Sequence, residues 1–357
     1  MLVFLAGAGF NAEACRFTVR EIGFSTLSHD IYSLVVIDNT ANTSDQKWNR
    51  VRDSLEDSNI RLSVLHPEHD VENPHVKKAI SDKSLLPAYL LVAPDGGTLV
   101  LEQGEISDIV DRVLNSGIRN SLRNEFSEVF SVVLLIEGRD EVKNAEAGRS
   151  IIGDCKRIES IMPYMPKEVR NGPVTIRVSA GEFKSERILL WPLGIEEQPE
   201  EPVAFVLYGR GRIIGEGVNA EAISEGMLYK YMSMIGADCE CGLDRKWMLG
   251  KQIPLLWPSR SRQRLAKNLG FDVDNPMILS EMSMILAKET NAELAGDVSF
   301  GIETIDLDSA FDQVPEILFE EEVPSNSFKN LILISSLLLV AMVLTGGLIL
   351  FRRKRKQ

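Results

Sequence analysis

The strongest constraint on this chain lies near its end. Leu331 to Phe351 reads LILISSLLLVAMVLTGGLILF, 21 residues without a charge. A helix of that length, at about 1.5 Å per residue, crosses a hydrocarbon layer of about 30 Å. Buried helices of water-soluble proteins seldom run so long without a charged side chain. The run predicts a transmembrane helix over 331–351. Arg352, Arg353, Lys354, Arg355 and Lys356 follow at once. Cations beside a span stay on the cytoplasmic side and sit favourably against anionic headgroups. Residues 352–357 are therefore expected to be a basic cytoplasmic tail.

The other end points the same way. Leu2 to Phe10 is an apolar run too short to span, and Ala12-Glu13-Ala14 offers a small-x-small cleavage pattern before Cys15. Residues 1–14 read as a secretory signal peptide. No Lys or Arg precedes the run, so a start further upstream, or a first strand of the fold, stays open. Together the ends predict a type I single-pass protein of the cell membrane. Its body lies outside the cytoplasm, and a bacterial envelope, hence the periplasm, is the favoured setting.

Charge and composition then narrow the body. The net charge is -13; without the five tail cations and Glu13 the body carries -17. So acidic a body excludes broad, salt-driven nucleic-acid binding. With 44% hydrophobic and 25% charged residues, the chain is no disordered polymer, collagen, coiled coil or multi-span transporter. Its mean hydropathy of -0.03 averages a soluble body with its anchor.

Local patterning predicts an α/β body. Residues 32–39, YSLVVIDN, form a nearly continuous apolar run, as a strand buried on both faces does. Thr43 and Gln46 fit a capping box for a helix through Leu55. Residues 60–66 form a second strand, and a short helix follows over His75–Asp82. Pro87 to Glu102, PAYLLVAPDGGTLVLE, is a hairpin turning at Pro94-Asp95-Gly96-Gly97, and an amphipathic helix starts near Ser107.

This order, with a proline opening the hairpin, resembles a thioredoxin-like domain over residues 30–125. The resemblance is carried by Asp70-Val71-Glu72-Asn73-Pro74, by Pro87-Ala88-Tyr89-Leu90-Leu91 and by the Asp95-Gly96 turn. It implies that Pro87 is cis and faces the site. In that family a C-x-x-C stands between the first strand and its helix. Here that loop is Thr40 to Asp45, without cysteine. Dithiol exchange needs a thiolate at a helix N-terminus, so this unit is not expected to perform it.

A second unit repeats the pattern. Phe130–Ile136 is a strand, Val142–Met162 a helix, Pro173–Val178 a strand and Pro202–Gly215 another proline-led hairpin. Pro202 is the counterpart of Pro87, and the resemblance implies that the pair would mark a cis-proline interaction surface. The loop Glu137–Glu141 also lacks cysteine. The expected architecture is two tandem thioredoxin-like units, 15–126 and 127–295, the second with a helical extension. An acidic juxtamembrane stalk over 296–330, the transmembrane helix and the tail complete it. Helices are expected at about Ala220–Ile235, Ser261–Asn268 and Pro276–Lys288.

The remaining chemistry-bearing residues are sparse. Cys15, Cys155, Cys239 and Cys241 in an exported body allow three disulfide pairings. Cys239-Glu240-Cys241 could form a strained, reducible bridge or offer two thiolates to Cu(I). It follows a predicted helix and so lacks the help of a helix N-terminus. His66, His69 and His75 match no ligand spacing, and Pro67 breaks any helix that would align the first two. Gly209, Gly211 and Gly215 are wrongly spaced for a dinucleotide loop, and Arg210 and Arg212 are expected to be exposed turn residues. Asn42-Thr43-Ser44 is a glycosylation sequon only in a eukaryotic secretory pathway. No catalytic residue, metal or cofactor is assigned. The function expected is an interaction or accessory subunit of a membrane complex, non-catalytic, with a protein partner. The alternative is a thiol-redox or copper-handling protein using Cys239 and Cys241.

Overall fold

The structure, a computed structural model, describes residues 16–28, 30–39, 46–81, 85–237 and 249–293. Residues 1–15, the loop 40–45, Cys239, Cys241, the stalk, the span 331–351 and the tail lie outside the described residues. Among the described residues no helix is long and apolar enough to cross a membrane.

Two four-stranded sheets of identical topology organise the body. The first comprises β1 (Tyr32–Ile37), β2 (Ile60–Leu65), β3 (Ala88–Val92) and β4 (Thr98–Val100), in the order β2-β1-β3-β4. The second comprises β5 (Val132–Ile136), β6 (Val174–Val178), β7 (Val203–Tyr208) and β8 (Arg212–Asn219), in the order β6-β5-β7-β8. In each, the first two strands are parallel and the hairpin is antiparallel. That is the thioredoxin-like arrangement, twice, as the repeated pattern predicts.

The sequence explains why β1 and β5 sit at the centre. In a strand, alternate side chains face opposite sides. Leu34 and Val36 meet Trp48, Val51 and Leu55 of α2 (Gln46–Leu55) and Ile109, Val110 and Val113 of α4 (Ile106–Leu114). Val35 and Ile37 meet Val76 and Ala79 of α3 (Pro74–Ser81) on the other side. A strand covered on both faces has no use for polar alternation. In the second sheet, Val132, Leu134 and Ile136 pack on Ile118, Leu122 and Phe126 of α5 (Gly117–Phe126) and on Leu189 and Leu190 of α7 (Arg187–Leu190). The reverse side is covered by α6 (Glu141–Ile161), α8 (Ala220–Ser224) and α9 (Met227–Ile235). The single helix expected over 220–235 is two, because Gly226 adopts φ +79° and breaks it.

The first described helix, α1 (Val19–Gly23), lies away from the first sheet. Phe17, Val19, Ile22 and Phe24 are at most 1% exposed. Phe17 meets Phe271 edge-on and Phe24 meets Trp257; the Val19 N–H donates to the Ala237 carbonyl at 3.1 Å. Burying four such side chains stabilises by roughly 6–12 kcal/mol as an upper bound. The segment that opens the described chain thus completes the core of the second half.

A strap over residues 250–257 joins the halves. The Ile253 N–H donates to Gly211 O at 2.9 Å, and the Ile213 N–H to Lys251 O at 2.8 Å, which extends the second sheet. Further along, the Asn59 N–H donates to Leu255 O at 3.3 Å and the Trp257 N–H to Asp57 O at 2.6 Å, at the start of β2. Two helices, α10 (Ser259–Leu269) and α11 (Pro276–Glu293), follow the strap.

Three buried arginines terminate helices. Each donates to carbonyls that no helical N–H can reach. Arg20 meets Val129 O at 2.8 Å, beyond the end of α5. Arg119 meets Arg112 O at 2.7 Å and Asn115 O at 3.0 Å, at the end of α4. Arg212 meets Leu27 O at 2.6 Å and Gly23 O at 3.3 Å, at the end of α1. Burial lowers the Arg20 and Arg119 guanidinium values to about 10, so both remain cations at neutral pH. The expectation that Arg210 and Arg212 are exposed is overturned: they are 4% and 0% exposed. Arg210 binds both oxygens of Asp274, at 2.7 and 2.6 Å.

Candidate functional site

The carboxyl ends of the parallel strands are where this fold places its chemistry. In the first sheet, β1 pairs with β2 and β3 so that Ile37 stands between Leu65 and Ala88. One residue further on, Asp38 lies between His66 and Pro87. The Leu86–Pro87 peptide is cis. Asp38 is 6% exposed, its N–H donates to Leu65 O at 3.1 Å, and Lys47 lies 3.6 Å from its carboxylate. Tyr89 follows on β3; burial, then Asp38 and Glu105, push its phenol up.

His66 anchors the neighbouring turn. Its Nε2 lies 2.9 Å from Asn39 O and its Nδ1 3.2 Å from the Glu68 N–H. A carbonyl only accepts and an amide N–H only donates, so Nε2 carries the proton and Nδ1 is bare. Asp70 accepts the His66 N–H at 2.7 Å, and the His69 ring stacks on His66 at 4.5 Å. Among the described residues no group of three or more His, Cys, Asp or Glu side chains could hold a metal. Leu85 is 77% and Leu86 39% exposed. They make an apolar approach to Pro87.

The second sheet uses the equivalent place for structure. The Asp140 carboxylate accepts the Val142 and Lys143 N–H groups at 3.0 Å each and so caps α6. The Asn144 side chain clasps Gly138, accepting its N–H and donating to its carbonyl, both at 2.8 Å. Arg139 pairs with Glu200, Lys143 with Glu201, and Arg177 with Glu137. The helix N-terminus that would activate a thiol is occupied by a carboxylate.

Pro202 does not reproduce Pro87. Leu86–Pro87 is the cis bond among the described residues, so the bond before Pro202 is trans. The reason is local: the Arg139 N–H donates to Pro199 O at 3.0 Å and the Asp140 N–H to Glu200 O at 3.1 Å. The chain enters β7 extended against the 138–140 loop. A paired cis-proline surface therefore reduces to Pro87 alone.

The cysteines divide. Cys155 is unbridged and buried on α6; burial pushes its thiol up to about 11, and the Thr175 hydroxyl is its hydrogen-bond partner. Cys15, Cys239 and Cys241, the redox or copper candidates among them, lie outside the described residues. So does the glycosylation sequon at Asn42. Sequence reasoning did not single out Asp38, Tyr89 or Lys47. Two signals could have found them: Asp38 ends an otherwise apolar strand, and Tyr89 stands two residues after the hairpin proline.

No protein-family model matches the chain, and no curated relative does. Solved structures do. The first two thioredoxin domains of Eps1p from Naumovozyma dairenensis are 10% identical, covering 54% of this chain and 85% of that one, at a TM-score of 0.19. Those of Saccharomyces cerevisiae Eps1p are 9% identical, covering 59% and 94%, at 0.20. The N-terminal domain of alkylhydroperoxide reductase AhpF from Enterococcus faecalis is 15% identical, covering 55% and 90%, at 0.16. Overlaps that loose carry no weight of their own. The tandem thioredoxin-like fold rests on the strand order, pairing and hairpins of each half.

Proposed function

We propose that this chain is a membrane-anchored, extracytoplasmic thioredoxin-like protein that does not catalyse thiol exchange. It serves as an interaction subunit of a membrane complex. The observation that carries this reading is Asp140, whose carboxylate fills the helix N-terminus where an exchange thiolate would have to sit. The first unit supports it, since no cysteine lies between Cys15 and Cys155. The uncharged run 331–351 and the five following cations supply the anchor and its orientation. The surface beside Pro87, with Leu85 and Leu86 exposed, is the place for a protein partner.

Two measurements test this. A photo-crosslinking residue at Leu86 in the full chain should trap a partner in membranes, while one at Ile152 on α6, also exposed, should not. Equal labelling at both positions, or at neither, refutes a specific surface. Insulin reduction by the detergent-solubilised chain should match the uncatalysed blank. Turnover that disappears on Cys239→Ser would instead establish the redox reading.

A further inference from the structure

We propose that the outer face of α11 is a self-association seam, and that its partner is the same face on a second copy of this chain. The inference rests on the membrane anchor proposed above for one point only: two anchored copies share a membrane and an orientation.

α11 contrasts with the helix before it. α10 carries Arg260, Arg262, Arg264 and Lys267 and buries Leu265 alone, as a solvent-facing helix does. Residues 276–287 of α11 read PMILSEMSMILA, with Glu281 the single charge, and Glu281 pairs with Arg16. One side of the helix is committed to the body: Met282 and Leu286 are 0% and 2% exposed. The opposite side carries Met277, Ser280, Met284 and Ala287, all exposed, the two methionines at 74% and 56%. Their three- and four-residue spacing sets them in one row, as the a and d positions of a helix–helix seam are set. Small residues at Ser280 and Ala287 let a second backbone approach, and methionine side chains adapt to a surface met only on association.

Charge selects the occupant. The body carries -17, so two copies repel over most of their surface, and a row without charge is where they can meet. A lipid surface fits less well, because residues 276–287 hold neither an aromatic side chain nor a cation, the groups that interfacial helices use. The chain leads from α11 through residues 294–330 to the uncharged run 331–351, so the seam is the described helix nearest in sequence to the anchor. Four side chains per copy fall well short of the roughly 1,200–2,000 Å² of a stable interface. Pairing therefore depends on the high effective concentration of anchored copies.

A benzophenone amino acid at Ser280 of the full chain tests this. Irradiated in membranes from cells making two differently tagged copies, it should give an adduct of twice the chain mass that carries both tags. The same probe at Ile152, exposed on α6, should give none. Met277→Glu combined with Met284→Glu sets like charges against one another across the seam and should cut the adduct at least about tenfold. Both side chains are exposed, so the urea midpoint of that variant should not move. An adduct that survives the double substitution, an adduct with a different protein or with lipid, or no adduct at all overturns the proposal. Carbonate extraction reads the anchor separately. A double-mass adduct from a chain that carbonate releases keeps the seam and refutes the anchor; a retained chain without the adduct keeps the anchor and refutes the seam.

Discussion

Asn59 tests whether the two thioredoxin-like halves are locked by the strap. It is 4% exposed at the start of β2. Its side chain donates to Ile253 O at 3.0 Å and Asp30 O at 3.1 Å, and accepts the Leu255 N–H at 2.8 Å. Replacing it with alanine leaves one buried acceptor and one buried donor of the strap without partners. Each such group costs about 1–3 kcal/mol. Asp30 O is nearer the surface and can recruit water. The expected loss is therefore about 3 kcal/mol, on the order of a hundredfold in the folded-to-unfolded ratio. Urea unfolding followed by tryptophan fluorescence reports it, because Trp48 and Trp257 stand in the two different cores. Asn59→Asp should cost at least as much: it keeps the Leu255 acceptor but sets an oxygen against the Ile253 carbonyl. A loss under about 1 kcal/mol for both variants would refute the idea that these bonds hold the strap.

Further perturbations separate the other devices. Arg212→Met should cost about 3 kcal/mol, because the Leu27 and Gly23 carbonyls lose a buried charged donor; an unchanged urea midpoint would show that α1 ends without it. Gly209→Ala should cost more than about 2 kcal/mol, since Gly209 sits at φ +57° and a Cβ there would stand 2.3 Å from the Gly23 backbone; wild-type melting would contradict this. Asp140→Ala should cost about 1 kcal/mol through loss of the α6 cap, with no change in insulin reduction. Burial raises the Cys155 thiol from 9.0 to about 11. Its contribution to stability is then full below about pH 9 and lost as pH rises through about 11. Alkylation of the folded chain at pH 8 should run roughly a hundredfold slower than of the unfolded chain; equal rates would place the thiol in solvent.

Much of the architecture was legible because periodicity and punctuation are local properties. The apolar runs at 32–37 and 132–136, both hairpins and the repeat of the unit follow from side-chain alternation and turn residues alone. The absence of an exchange motif in both loops is likewise a statement about residue identity. So is the uncharged 331–351 run, from which the membrane anchor is proposed.

Tertiary structure decided everything that depends on which distant segments meet. Thr18-Val19-Arg20-Glu21-Ile22 carries a capping box, yet nothing local says that its helix packs on the second half rather than the first. Arg210 and Arg212 read as turn cations because a lone arginine is costly to bury; the chain buries them by bringing Asp274 to one and the carbonyls of α1 and its following loop to the other. Pro87 and Pro202 look alike in sequence, and only the 138–140 loop, pairing with the chain before Pro202, makes them differ. Patterning along the chain sets which elements form. Long-range hydrogen bonds to otherwise orphaned backbone groups set how the two halves become one body.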